Sequence, residues 1–412
     1  MLQELSIQRL SQNLILKEKK IFDSLSGYKN LNEKFEQYNP FNLDPREIRE
    51  TIVDDKSCIS VLGSITFPLE DNFWDRGQVV LEEGPHEDGS RRFEWVNKVL
   101  DEISVCGTDS STIRHNLHLN LLYAYTQVAV FLRKSGRYFE EVLDDVKVGD
   151  ELYFTDHEIK LFEDEHYQMW NWMLALKLLN EKFHQHTPFI LFLDESLSVS
   201  YARNYNGERR KLLLDSLNHY LRKLYELNIF PVAVYFSLDR GLVNCGLKCT
   251  ICKGAKCSLC SNFSEQERTF KTFCDKHFLY NVLTENYSRT PYFRPLNSVI
   301  AESAEKLYVD LIAFYVRVDE SILRVEFPKI FLEKDENAVN LVHKAVVADS
   351  ILSGGYPLTL SRAHELAVLS GKDRNVVHEI VYNKALELCK KYGYTLEVKF
   401  SRKNELKARG VL

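Results

Sequence analysis

Residues 189–193, FILFL, are five consecutive apolar side chains that follow Pro188 and stop at Asp194, Glu195 and Ser196. A run without alternation reads as a strand covered on both faces, although periodicity alone leaves a buried helix segment open. A helical pattern at 208–228 comes next, then apolar runs at 230–237 (FPVAVYFS), 311–318 (LIAFYVRV) and 322–328 (ILRVEFP). Strand, helix and strand in that order imply an α/β sheet with helices against its faces. A carboxylate closing a buried strand sits at the rim of the sheet, where it meets solvent, a metal ion or a substrate. Asp194 is therefore the leading candidate for a catalytic metal ligand, with a turn or cap as the plainer reading. Glu195 points to the opposite side if the strand continues.

Around this centre the pattern is uneven. Residues 1–38 carry apolar side chains at helical spacing, and the prolines of YNPFNLDP place a boundary near 38–45, so residues 1–50 are expected to be an N-terminal helical segment before a main domain at 51–412. The segment 58–68, CISVLGSITFP, reads as a strand running into a turn, 82–92 as a loop, and 116–134 and 164–183 as long apolar helices. From SRAHELAVLS at 361–370 through NVVHEIVYNKALELCKKYG the pattern is helical.

With 412 residues, 45% of them apolar, the chain can bury a large core. No run approaches the ~20 apolar residues of a membrane helix, and MLQELSIQRL lacks a basic start and an apolar stretch, so a soluble cytoplasmic protein without membrane contact is expected. A formal charge of −6 excludes a global polycation, so any nucleic-acid site must be a local basic patch. Residues 201–212 and 390–409 are locally basic, as many solvated helix faces are.

Six of the nine cysteines fall between Cys245 and Cys274. Within them CTICKGAKCSLC spaces Cys249, Cys252, Cys257 and Cys260 as two close pairs, which suits one tetrahedral Zn²⁺; an iron–sulfur cluster or bare thiols are the other readings. Zinc held by four thiolates has no open position, so it would staple a knuckle-like insertion at 245–274 rather than catalyse. In GGYPLTLSRAHELA, Gly354, Gly355 and Pro357 predict a tight turn. Ser361 is then expected to cap a helix whose first turn holds His364, where the positive helix end would help the imidazole meet a phosphate.

Together these segments resemble the NurA nucleases, DNA-end-processing enzymes that partner the HerA translocase. LFLDESL resembles the family's strand ending in Asp-Gly-Ser-Leu, and VAVYFSLDRGL its Gly-Tyr-(Val/Ile)-Ser segment. CDKHFLYNVL is similar to an Asp-Arg-x-x-Phe segment, ILRVEFP to Arg-(Ile/Val)-Glu-x-Pro, and GGYPLTLSRAHELAVLSGKDR to Gly-Tyr-Pro…Ala-His…Asp-Arg. The resemblance implies an RNase H-like mixed sheet flanked by helices and a Mn²⁺ site of two aspartates and a glutamate, helped by a tyrosine and a histidine. Carried over, the second aspartate is Asp194, the tyrosine Tyr235 and the histidine His364. The first aspartate falls on SVLGSI, with Leu62 in the acidic place, and the glutamate on MWNWMLALK, with Trp172 or a neighbour instead. Glu70, Asp71, Asp75, Glu163, Glu165, Glu181 and Glu195 are the acids that could replace them. Two further expectations follow from the resemblance: a homodimer, and a HerA-like hexameric ATPase that feeds it single-stranded DNA or DNA ends. A subunit that has lost cleavage but still grips DNA or regulates the motor is the second reading, and a zinc-stapled protein unrelated to DNA the third.

Overall fold

The computed structural model of the protein describes residues 11–20, 22, 64–68, 78–81, 84–85, 89–114, 121–134, 136–149, 164–182, 189–199, 202, 205, 207–236, 275–297 and 308–395. Most of the N-terminal segment, its boundary, and Cys249, Cys252, Cys257 and Cys260 lie outside the described residues. The chain runs β1 (Ser64–Pro68), α1 (Gly89–Glu102), β2 (Ser104–Arg114), β3 (Tyr123–Lys134), β4 (Arg137–Val148), α2 (Asp164–Lys182), β5 (Phe189–Leu193), α3 (Gly207–Glu226) and β6 (Ile229–Phe236). It continues through α4 (Asp275–Val282), β7 (Phe293–Asn297), β8 (Leu311–Val318), β9 (Ser321–Pro328), α5 (Phe331–Lys334), α6 (Ala338–Ile351), α7 (Leu358–Ala367) and α8 (Gly371–Tyr392). Among the described residues the strands form one sheet in the order β1-β7-β8-β9-β6-β5-β2-β3-β4.

The centre of the sheet is parallel, β2 against β5 and β5 against β6. From β2 the chain folds back as an antiparallel meander through β3 and β4, and β9, β8, β7 and β1 extend the opposite side antiparallel. All five residues of β5 are buried, as a strand covered on both faces requires. Successive side chains alternate between the two faces. Val105, Ile190, Phe192, Val232 and Val234 enter a core closed by α1, α5 and α6. Cys106, Phe189, Leu191, Leu193 and Ala233 enter a second core closed by α2 and α3. Each such side chain contributes about 1.5–3 kcal/mol by leaving water, which holds the two helical layers to the strand ends.

The expected α/β sheet flanked by helices is present, but the long helix expected at 116–134 is not. Residues 123–134 are β3, and a strand covered on both faces has an apolar pattern with no clear period. Val128 and Val130 face α2, whereas Phe131 lies under Arg362 of α7 and Gln127 Nε2 donates to the Leu366 carbonyl 2.7 Å away. The 82–92 stretch read as loop also ends in structure, since α1 begins at Gly89.

Candidate active site

In the register of β2 against β5, Thr108 pairs with Leu193, so the next residues of the two chains, Asp109 and Asp194, come side by side. Alternation puts Asp109 on the face of Val105 and Gly107, and Asp194 on the face of Ile190 and Phe192. It is the same face. Both carboxylates line one small cleft, and the charge of Asp109 is felt at Asp194. Burial first, and then this neighbouring charge, push the Asp194 carboxyl above its usual range, while Tyr356 and His364 act to lower it.

Helix α7 lies across this face because β2 has a glycine beneath it. A Cβ at Gly107 would run into the Thr359 carbonyl and sit 2.5 Å from the Leu360 nitrogen. Pro357, at the N-cap of α7, makes no side-chain cap bond; instead the buried carboxylate of Asp349 on α6 accepts from Thr359 N at 3.0 Å and Thr359 Oγ1 at 2.7 Å. Ser361, expected as the cap, lies inside the helix and donates back to the Pro357 carbonyl. His364 consequently falls near the C-terminal end of α7, not in its first turn. No helical amide points at a phosphate from there. Its Nδ1 instead meets Asp109 Oδ2 at 2.7 Å, across 255 residues of chain.

The turn before α7 supplies a second partner. Gly354 and Gly355 have φ of 76° and 119°, and a Cβ at Gly355 would lie 2.6 Å from Ser321 Oγ, so the pair is bound to glycine. The turn carries Tyr356 over the ends of β5 and β6. Its hydroxyl donates to Asp194 Oδ1 at 2.6 Å and approaches the Val234 carbonyl at 3.1 Å. Burial and the adjacent Asp194 charge hold the phenol far above its ordinary pKa, so it remains a donor across the working pH range.

The sequence-predicted residues divide accordingly. Asp194 and His364 are brought to one place. Tyr235 points to the other face of β6: its hydroxyl donates to Glu326 Oε1 at 2.9 Å and lies 3.3 Å from Ser196 Oγ. Ser196 also donates to Glu326 Oε2 at 2.9 Å, and Arg324 pairs with the same fully buried carboxylate. The Arg-x-Glu-x-Pro segment of β9 thus braces the turn that leaves Asp194, and Tyr235 is part of that brace. The tyrosine at the carboxylates is Tyr356.

Leu62 lies outside the described residues, but Ser64, two positions on, opens β1, at the far edge of the sheet from β2. The aspartate beside Asp194 is Asp109, in the Gly107-Thr108-Asp109-Ser110 run of β2, a segment that the sequence reading does not single out. On α2, the residues lining the cleft are Asn171, Trp172 and Ala175. Asn171 Nδ2 donates to Ser110 Oγ at 2.8 Å and its Oδ1 accepts from Thr126 at 2.6 Å, while Trp172 stacks on Tyr220 with ring centroids 5.7 Å apart. Glu195 also lines the cleft. Among the described residues no group of three or more acidic, histidine or cysteine side chains is arranged to hold a metal. The Asp109–Asp194 pair on its own still suits one hard divalent cation, whose remaining positions go to water and substrate oxygens, because two crowded carboxylates gain from a shared positive charge. No helix among the described residues is long and apolar enough to cross a membrane.

No curated protein matches the chain. Among solved structures it is similar to a NurA crystal structure with manganese (12% identity, TM-score 0.35, covering 90% of this chain and 98% of that one). A NurA structure bound to dAMP and manganese is similar at 12% identity and TM-score 0.36, covering 91% and 97%. Drosophila Piwi is similar at 13% and 0.29, covering 65% and 29%. The NurA domain model matches residues 103–369, which hold β2, α2, β5, β6, β9 and α7. That is well over half of the chain, and the chain belongs to the NurA domain family.

Proposed function

We propose that this protein is a metal-dependent deoxyribonuclease that hydrolyses single-stranded DNA at DNA ends, in the cytoplasm, working with a HerA-type hexameric ATPase. The observation that carries the reading is the constellation at the β2–β5 rim, where Asp109 and Asp194 stand side by side, each tied to one polar side chain from the 354–367 segment. An RNase H-like description of the fold is supported by the strand order β4-β3-β2-β5-β6, with a meander first and parallel strands after it.

In this reading Asp109 and Asp194 would hold one Mn²⁺, which would supply charge neutralisation at the scissile phosphate and a more acidic water. Tyr356 fixes the rotamer of Asp194 and keeps its proton. His364 fixes Asp109 through Nδ1, leaving Nε2 as the nitrogen that meets a phosphate oxygen. Tyr235, the tyrosine carried over from the family motif, acts one step removed, through Ser196 and the turn after Asp194. Zn²⁺ on Cys249, Cys252, Cys257 and Cys260 is a structural staple, to be counted by metal analysis against a Cys252→Ser/Cys257→Ser variant. A homodimer is the expected assembly.

The test is Mn²⁺-dependent degradation of single-stranded DNA, abolished in Asp194→Ala and in Asp109→Ala. A wild-type protein inert both alone and with a HerA-like ATPase overturns it. One observation favours the second reading, a subunit that grips DNA or regulates the motor without cutting: among the described residues, those of α2 that line the cleft, Asn171, Trp172 and Ala175, include no carboxylate. That reading predicts altered ATP turnover by the motor in the absence of cleavage.

A further inference from the structure

We propose that Phe236 is a stacking platform for a base of single-stranded DNA beside the Asp109–Asp194 pair, an inference that rests on the nuclease reading above. Phe236 ends β6, and alternation gives it the face of Val232 and Val234, the face on which Asp194 also lies. Every residue of β6 up to Val234 is buried, yet the Phe236 ring is 49% exposed.

Isolated exposed aromatics are ordinary on protein surfaces, so exposure alone assigns nothing. The neighbours of this ring assign more. Phe236 stacks on Tyr356 with centroids 5.0 Å apart and planes 20° from parallel. Tyr356 is the residue whose hydroxyl donates to Asp194 Oδ1 at 2.6 Å and whose backbone follows the constrained Gly354-Gly355 turn. One side of the Phe236 ring is thus backed by a half-buried phenol locked to the active carboxylate. One side chain, Tyr356, separates the ring from Asp194, a span on the order of 10 Å, the rise of about three stacked nucleotides at ~3.4 Å each. A strand whose phosphate lies at Asp194 therefore has a base within reach of the ring. Every base carries a π-face, so the contact tolerates sequence, and a paired base inside a duplex has both faces already covered. The platform gives the carboxylate pair a preference for unpaired strands near the point of cleavage.

The test uses the full-length protein with Ca²⁺ in place of Mn²⁺ and no chelator, with fluorescence anisotropy of a labelled single-stranded oligonucleotide and of the same oligonucleotide carrying one abasic site at each position in turn. Phe236→Leu keeps an apolar group against Tyr356 and removes the π-face; Phe236→Trp keeps both. Phe236→Leu is expected to weaken binding roughly 5- to 150-fold, the loss of one base–aromatic stack, and Phe236→Trp to restore it. One abasic position should weaken the wild type but leave Phe236→Leu unchanged, the non-additivity of a single shared contact that a merely structural role would not produce. If the wild type binds the strand but abasic scanning costs both proteins equally at every position, the platform is refuted while DNA binding stands. A wild type that binds no single strand refutes the platform and the nuclease reading together.

Discussion

Replacing Gly107 by alanine adds one methyl group, and the structure dictates an outsized response. The new Cβ would sit 2.5 Å from the Leu360 nitrogen and closer still to the Thr359 carbonyl, where ordinary contact begins near 3.4 Å. These are main-chain atoms, so no rotamer change relieves them, and β2 is pinned between β3 and β5. Helix α7 must therefore move out by roughly 1 Å, straining the two bonds from Thr359 to Asp349 and the 2.7 Å contact of His364 with Asp109. Overpacking costs about 1–3 kcal/mol, and a main-chain obstacle belongs at the top of that range. A 1 Å displacement at a contact that the proposed hydrolysis uses costs about 10²-fold in rate. Urea unfolding should give a midpoint lowered by about 3 kcal/mol divided by an unchanged m-value. Hydrolysis of single-stranded DNA, measured where both proteins are fully folded, should fall to the level of His364→Ala. Adding Thr359→Ala to Gly107→Ala should give no relief, because the obstruction is backbone. Wild-type stability and rate in Gly107→Ala would refute the account of why α7 lies where it does.

Three other perturbations report on neighbouring parts of the same face. Tyr356→Phe removes the hydrogen bond that lowers the raised Asp194 carboxyl, so that group becomes still harder to ionise and the acidic limb of the pH–rate profile moves up; a donor to a charged group contributes about 1.5–3 kcal/mol, and an unmoved limb counts against the role given to Tyr356. Asp349 is raised by burial from 3.8 to about 6, so its folded state holds a proton that the unfolded chain has lost: the stability this contributes is complete below 3.8 and is lost as pH rises through about 6. The stability difference between wild type and Asp349→Asn, which keeps an acceptor for Thr359, should therefore change by at most about 3 kcal/mol across that window and be flat above it, as read by denaturation at several pH values. Glu326→Gln removes the charge that Glu326 sets against the buried Arg324 and should cost up to about 3–5 kcal/mol in the same unfolding assay; a near-neutral result would mean the brace around Ser196 does not depend on this ion pair.

Strands covered on both faces and long amphipathic helices were legible, since β5, β6, β8 and α3 fall within a residue or two of the spans their apolar patterns predict. The same property made β3 illegible. With α2 on one side and α7 on the other, its apolar residues obey no single period, so the run 116–134 reads as a helix although residues 123–134 are a strand. Misreading β3 hid the hairpin with β2, and with it the strand that carries Asp109. The cue that would have found it is the small-residue run Gly107-Thr108-Asp109-Ser110-Ser111 after an apolar start, where a carboxylate follows a glycine that a helix can approach. His364 was legible from its own segment, but its partner was not, because 255 residues separate them and only the packing of α7 on Gly107 brings them together.

The choice between two tyrosines turns on parity. Leu193 pairs with Ala233, so Asp194 is level with Val234, and Tyr235, one residue further, must project from the opposite face. Its place in a segment that resembles a family motif is thus explained by the brace to Ser196 and Glu326 rather than by contact with the acidic pair. Tyr356, in contrast, comes from a turn, where alternation imposes nothing and two positive-φ glycines set the direction. A single sequence reveals each strand's own alternation, but not the register between parallel strands joined by a crossover helix. The face of a tyrosine relative to a neighbouring strand's aspartate is therefore a tertiary fact, fixed by the packing of α3 and α7 on opposite sides of the sheet. Glycine pairs in a turn are a local fact and can be read in advance: the constrained residues at 354 and 355, and the Gly-Tyr-Pro match at 355–357, are the sequence signals that point to Tyr356.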